Sequence, residues 1–119
     1  MNDDAIAVVN RLNEAINRHD IEALMAVFSA DCVFENTAPP PDGGRFEGHE
    51  AVRGFWQRWF AWNPGARFET EEMFAADDRC VVRWIYRKTR NGKPWHLRGV
   101  DLFRVRDGRV TEKLAYTKG

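Results

Sequence analysis

Residues 94–110, Pro94-Trp95-His96-Leu97-Arg98-Gly99-Val100-Asp101-Leu102-Phe103-Arg104-Val105-Arg106-Asp107-Gly108-Arg109-Val110, read as one long strand running into a hairpin turn. Strand side chains alternate faces. One parity therefore carries Trp95, Leu97, Gly99, Asp101, Phe103 and Val105, and the other carries His96, Arg98, Val100, Leu102 and Arg104. The first is the interior face, and it holds a carboxylate. Asp107-Gly108 takes positive φ at low cost, as does Asn91-Gly92 one strand earlier, so both mark hairpin turns. Residues 66–74, 80–90, 94–106 and 109–117 are β-branched and aromatic, with turn clusters between them. They predict an antiparallel meander in which Cys80, Val82, Trp84 and Tyr86 share the interior.

Upstream the hydrophobic period changes. Ile6, Val9, Leu12 and Ile16 recur every three to four residues and predict an amphipathic helix over 3–18, with Asn2 as cap and Asp3 and Asp4 favoured by the helix dipole. His19 and Asp20 break the pattern. Asp20 then caps a short helix (Ile21, Leu24, Met25, Val27, Phe28) that ends before Asp31. Cys32 to Glu35 read as a first strand, and the run Ala38-Pro39-Pro40-Pro41-Asp42-Gly43-Gly44 as a loop that forms a lid or rim. From Gly48 a third helix carries Val52, Phe55, Trp56, Trp59 and Phe60 and stops at Asn63-Pro64-Gly65. Helices followed by a meander imply one α+β domain over 1–119, with helices packed on one face of a curved sheet.

The 18 basic and 18 acidic side chains cancel, and 44% hydrophobic residues supply a core. A zero balance argues against phosphate-backbone binding, which needs a basic face, so no nucleic-acid partner is expected. No apolar run approaches the length of a membrane span, and the acidic start is unlike a signal peptide, so neither membrane attachment nor export is expected and the location is expected to be cytoplasmic. Cys32 and Cys80 lie in apolar runs without metal spacing and read as buried thiols. No metal or cofactor motif is present: His19, His49 and His96 show no ligand spacing, and there is no phosphate-cradling glycine loop.

Asp101 is the sharpest chemical signal. A carboxylate among Trp, Leu and Phe is costly unless bonded, paired or protonated, and such groups gather at functional sites. The plain alternative is an acceptor for a helix end or a neighbouring strand. Glu112 shares parity with Val110, Leu114 and Tyr116 and is a possible second acid at the pocket floor. Phe34, Trp56, Trp59, Trp84, Tyr86, Trp95, Phe103 and Tyr116 are candidates to line a pocket for flat ligands, or simply to fill it. Walls this bulky predict a small cavity. The cluster Arg87, Lys88, Arg90 and Lys93 reads as a solvated hairpin edge.

Asn17-Arg18-His19-Asp20, Phe28-Ser29-Ala30-Asp31, Phe46-Glu47-Gly48-His49-Glu50-Ala51-Val52-Arg53 and Val100 to Val110 together resemble the nuclear transport factor 2-like superfamily. The chain resembles its SnoaL-like polyketide cyclases and ketosteroid isomerases, over essentially its whole length. The resemblance implies a cone of curved antiparallel sheet closed by three helices around a central hydrophobic pocket. It also implies a homodimer through the outer sheet face, here Val81, Ile85, Val100 and Leu102.

Carried over residue by residue, the isomerase pattern is incomplete. Its base falls on Asn36 and its oxyanion tyrosine on Leu12; only the late-strand aspartate matches, as Asp101. The cyclases of the family use an acid/base aspartate on that same strand. Their assisting histidine has no counterpart, since His96 is on the outer parity. Limonene-epoxide-hydrolase relatives need a residue where Ala115 stands. The expectation is a cofactor-independent isomerase, cyclase or lyase acting on a small hydrophobic carbonyl compound, with Asp101 exchanging the proton or bonding the enolate and Asn36 orienting the ligand oxygen. The rival expectations are a non-catalytic binding module and a dimeric interaction module.

Overall fold

The computed structural model describes residues 2–118, with side chains from Ala5 onward. In chain order the elements are α1 (Asn2–Asn17), α2 (Ile21–Val27), β1 (Phe28–Glu35), β2 (Arg45–Glu47), α3 (His49–Trp62), β3 (Arg67–Ala76), β4 (Arg79–Arg90), β5 (Lys93–Arg106) and β6 (Arg109–Thr117). The expected capping by Asn2 and charge placement by Asp3 and Asp4 fall outside the described side chains.

Local chemistry sets most of these boundaries. His19, at φ 54°, ends α1 in the left-handed region, and the amides of His19 and Asp20 donate to Ile16 and Ala15 carbonyls. The Asp20 carboxylate accepts from the Ala23 amide at 3.0 Å and so starts α2. Asn91-Gly92 and Asp107-Gly108 both have positive φ at each residue, the two-residue turns that the strand twist favours. The second helix is shorter than the sequence suggests because Phe28 already takes extended dihedrals and opens β1. The three-residue β2 carries no local signal of its own.

The sheet order is β2-β1-β6-β5-β4-β3. It is antiparallel except at β1–β6, which is parallel and corrects the expectation of an all-antiparallel sheet. Three irregularities interrupt its ladders: the register slips between Phe28 and Val33 where β1 meets β6, between Thr70 and Glu72 in β3, and between Arg104 and Val105 where β5 meets β6. Extra residues of this kind sharpen local twist and curl a sheet around its contents. Leu12, Leu24, Val52, Phe28, Phe34, Val82 and Phe103 are fully buried inside that curl, beneath α1, α2 and α3. Cys32 and Cys80 are free and buried there, and desolvation pushes both thiols up to about 11. No described helix is long and apolar enough to cross a membrane.

Candidate active site

Parity on β5 holds: Asp101 faces inward and is 4% exposed. The group it meets is a lysine. Lys113, equally buried on β6, brings its Nζ to 3.2 Å from Asp101 Oδ2. In register Asp101 faces Ala115 and Lys113 faces Phe103, so the two are diagonal neighbours on one face, within reach of a long side chain. Lys113 Nζ also lies 5.0 Å from the ring centre of Phe34, 5.4 Å from Trp56 and 5.7 Å from Phe103. Three aromatic faces and one carboxylate therefore surround a cation that has left water.

Sequence reasoning missed Lys113 because Val110 points inward and strict alternation then selects Glu112. The bulge at Thr111 inserts one residue: Val105 pairs with Val110 but Arg104 pairs with Glu112, so the next inward residue is Lys113. Glu112 is turned out of the interior, with its Oε1 3.9 Å from both Arg79 and Arg104, which corrects its placement on the pocket floor. One signal was available. A buried Asp101 demands a cation, and Arg109 and Lys113 are the basic residues that β6 offers.

Asp101 Oδ1 and the indole nitrogens of Trp56 and Trp84 are buried without hydrogen-bond partners among the described residues. Asp101, Lys113 and Trp84 border a cavity of about 10 Å³, closed by Asn13 and Ile16 of α1, Phe68 and Thr70 of β3, and Val82. That is the room of one water. The α1–β3 seam over it is tied twice: Asn17 Nδ2 donates to the Phe68 carbonyl at 2.9 Å, and the Phe68 amide donates to Asn17 Oδ1 at 2.8 Å.

Of the other candidates, Phe34, Trp56 and Phe103 surround Lys113, and Trp84 borders the cavity. Trp59 stacks on Phe68, which stacks on Tyr86, and Trp95 meets Tyr86 edge-on, so these rings lead from the interior toward the far end of β4 and β5. The Tyr86 hydroxyl donates to Asn63 Oδ1 at 3.2 Å, and burial raises its pKa. Asn36 and Tyr116 are elsewhere. They border a separate surface recess with Pro41 and Asp42, Asn36 donates to the Ala38 carbonyl at 3.4 Å, and Tyr116 is 54% exposed. The proline loop closes on itself, Gly43 and Gly44 amides donating to Pro39 and Ala38, and forms a rim of that recess instead of a lid over Asp101. The Nε2 atoms of His19 and His49 lie 3.0 and 2.8 Å from the carbonyls of Ala66 and Met25, a structural role for both.

Comparison with known proteins places this geometry. No curated protein matches the sequence. Among solved structures, a nuclear transport factor 2-like protein of unknown function from Mesorhizobium loti is 39% identical over 98% of this chain and 93% of its own, with a TM-score of 0.84. A candidate polyketide cyclase from Sinorhizobium meliloti is 25% identical over 92% and 93%, with a TM-score of 0.76. An epoxide hydrolase of the limonene type from Mycobacterium tuberculosis is 19% identical over 98% and 84%, with a TM-score of 0.83, a likeness of fold alone. The fold spans different chemistries, so function rests on the residues of the site. The sequence model of the SnoaL-like domain matches residues 9–113, and the chain belongs to that family.

Proposed function

We propose that the chain binds a small hydrophobic carbonyl compound and performs acid/base chemistry on it, as an isomerase, cyclase or lyase. Asp101 acts as proton acceptor, and Lys113 is the cation that meets the developing enolate oxygen. The observation that carries this reading is the buried 3.2 Å pair with one carboxylate oxygen unpartnered at a cavity; because that cavity holds one water, the reading requires α1 to draw away from β3 at the Asn17–Phe68 seam to admit the compound. Removing a proton next to a carbonyl moves negative charge onto its oxygen. Asp101 gains that proton and loses its charge, so the Lys113 ammonium is left facing the new oxyanion. The Trp84 indole N–H, on the same cavity, is a second donor. The reading requires no cofactor. The cyclase likeness at 25% identity supports the reaction class.

Phenolates imitate the enolate, and Asp101→Asn imitates the protonated carboxyl. Tryptophan fluorescence titration is expected to show phenolate binding to wild type, and about tenfold tighter binding to Asp101→Asn, the effect of removing one nearby negative charge. The neutral phenol form should bind both proteins alike. Equal phenolate affinity in the two proteins overturns the assignment of Asp101.

The small cavity favours a second reading, a non-catalytic module in which Asp101 and Lys113 form a structural ion pair. It predicts no discrimination between phenol and phenolate, and no turnover.

We also propose a homodimer through the outer sheet face. Phe74, Val81, Leu102 and Leu114 lie in register across β3, β4, β5 and β6, and Phe74 and Tyr116 are each 54% exposed. Ile85, also placed on this surface from sequence, is 6% exposed within the single chain and has little surface left to bury. Light scattering at micromolar concentration should give twice the chain mass, reduced toward one chain by Leu102→Lys. A monomeric wild type removes the proposal.

A further inference from the structure

The seam between α1 and β3 has two rungs. In the first, Asn17 bonds the Phe68 backbone twice. In the second, one helical turn back along α1 and two residues on along β3, stand Asn13 and Thr70. Four residues of helix and two of strand each advance about 6–7 Å, so the two steps match. Both second-rung residues border the Asp101 cavity.

Three features single out that rung. Asn13 interrupts an apolar stripe: it follows Val9 by four residues and precedes Ile16 by three, on the face of α1 where Val8, Val9, Leu12, Ala15 and Ile16 are buried. Asparagine is a poor helix former, and a leucine at this position would extend the core. Second, neither Asn13 nor Thr70 makes a side-chain hydrogen bond among the described residues. With Trp84 Nε1 and Asp101 Oδ1, four polar side chains without such partners meet at one cavity, where polar groups are ordinarily bonded. Third, burial is graded across the cavity. Asp101, Lys113, Val82, Trp84 and Ile16 are buried, whereas Asn13 is half-buried and Thr70 exposed, so the second rung belongs to the wall that meets solvent.

We propose that Asn13 and Thr70 form a subsite for a second, neutral oxygen of the ligand, a hydroxyl or carbonyl group on the same hydrophobic compound whose carbonyl meets Asp101 and Lys113. The proposal rests on the assignment of that pair. An amide and a hydroxyl each donate and accept, which suits a neutral oxygen. A carboxylate would find no countercharge, because Lys113 is the one cation bordering the cavity among the described residues and it already faces Asp101. Opening the seam gives up the two Asn17 bonds. A ligand oxygen between Asn13 and Thr70 replaces them, so a compound that carries it favours the open state more than a hydrocarbon of the same shape.

The test is calorimetric titration of wild type, Asn13→Leu and Thr70→Val with meta and para hydroxyacetophenone, each against the ethylphenol of the same pattern. The quantity compared is the ratio of acetyl to ethyl affinity in each protein, so that differences in ligand acidity cancel. For at least one pattern the ratio is expected to fall about fivefold in either variant, the loss of one neutral hydrogen bond, with ethylphenol affinity retained. Asn13→Leu should also raise the urea midpoint, since leucine is the better helix former and completes the stripe. Unchanged ratios for both patterns in both variants overturn the subsite and leave the assignment of Asp101 standing. A lowered midpoint with an unchanged ratio marks Asn13 as a structural residue and overturns it as well. No binding of any of these phenols to wild type overturns both the subsite and the assignment beneath it.

Discussion

Replacing Lys113 with Met is expected to lower the unfolding free energy by about 3–5 kcal/mol, the cost of leaving one member of a buried ion pair alone. Asp101 would keep its place on β5 among Trp84, Phe103 and Val82, with both oxygens lacking partners where now one bonds Lys113. The three rings around Nζ would accommodate a thioether of similar length, so packing is nearly preserved and the charge is what changes. The double variant Asp101→Leu/Lys113→Met removes both charges and should regain most of the lost stability, because well-packed apolar pairs replace buried ion pairs at little or no cost. Urea unfolding of wild type, both single variants and the double variant measures the coupling. A loss below about 1 kcal/mol in Lys113→Met, the range of exposed pairs, would show that the two groups are not a desolvated pair. Such a result would also remove the electrostatic basis of the proposed chemistry.

Gly99→Ala is expected to cost about 2–3 kcal/mol through overpacking. A Cβ at Gly99 would stand 2.4 Å from Trp84 Cη2, 2.5 Å from its Cζ2 and 2.4 Å from the Tyr116 carbonyl oxygen. Gly99 faces Trp84 in register, so the missing side chain is the space in which the indole lies. Neither obstacle yields easily: one is a ring buried at 4% exposure, the other the backbone of a paired strand. Trp84 also borders the Asp101 cavity, so its emission should shift along with the loss of stability. Gly54→Ala provides the contrast. Its nearest neighbour is the end of the flexible Arg58 side chain at 3.2 Å, and in the middle of α3 the alanine should stabilise by about 0.5–1 kcal/mol. A Gly99→Ala protein as stable as wild type, with unchanged emission, would mean that Trp84 does not occupy that space.

Half of the candidate site is legible in the sequence. Asp101 stood out because alternation over an uninterrupted strand is reliable, and β5 keeps its phase from Trp95 to Val105. Lys113 was hidden by one inserted residue at Thr111, since alternation fails at the first bulge and every later side chain changes face. Asn36 and Tyr116 were misplaced for a related reason. The same bulge turns Tyr116 outward, where it pairs with Val100, and Asn36 lies beyond the end of β1 in the turn that its amide closes with the Gly44 carbonyl.

By itself the sequence determined what neighbouring residues settle among themselves: the helix stripes, the Asp20 cap, the Asn91-Gly92 and Asp107-Gly108 turns, and the inward faces of β4 and β5. Those depend on interactions only a few residues apart along the chain. The tertiary structure alone decided the parallel β1–β6 pairing, the bulge that turns Lys113 inward, and its pairing with Asp101. Each is a contact between segments distant in sequence. Its energy exists only after the chain has closed on itself, and the residues involved carry no local sign of the partner they will meet.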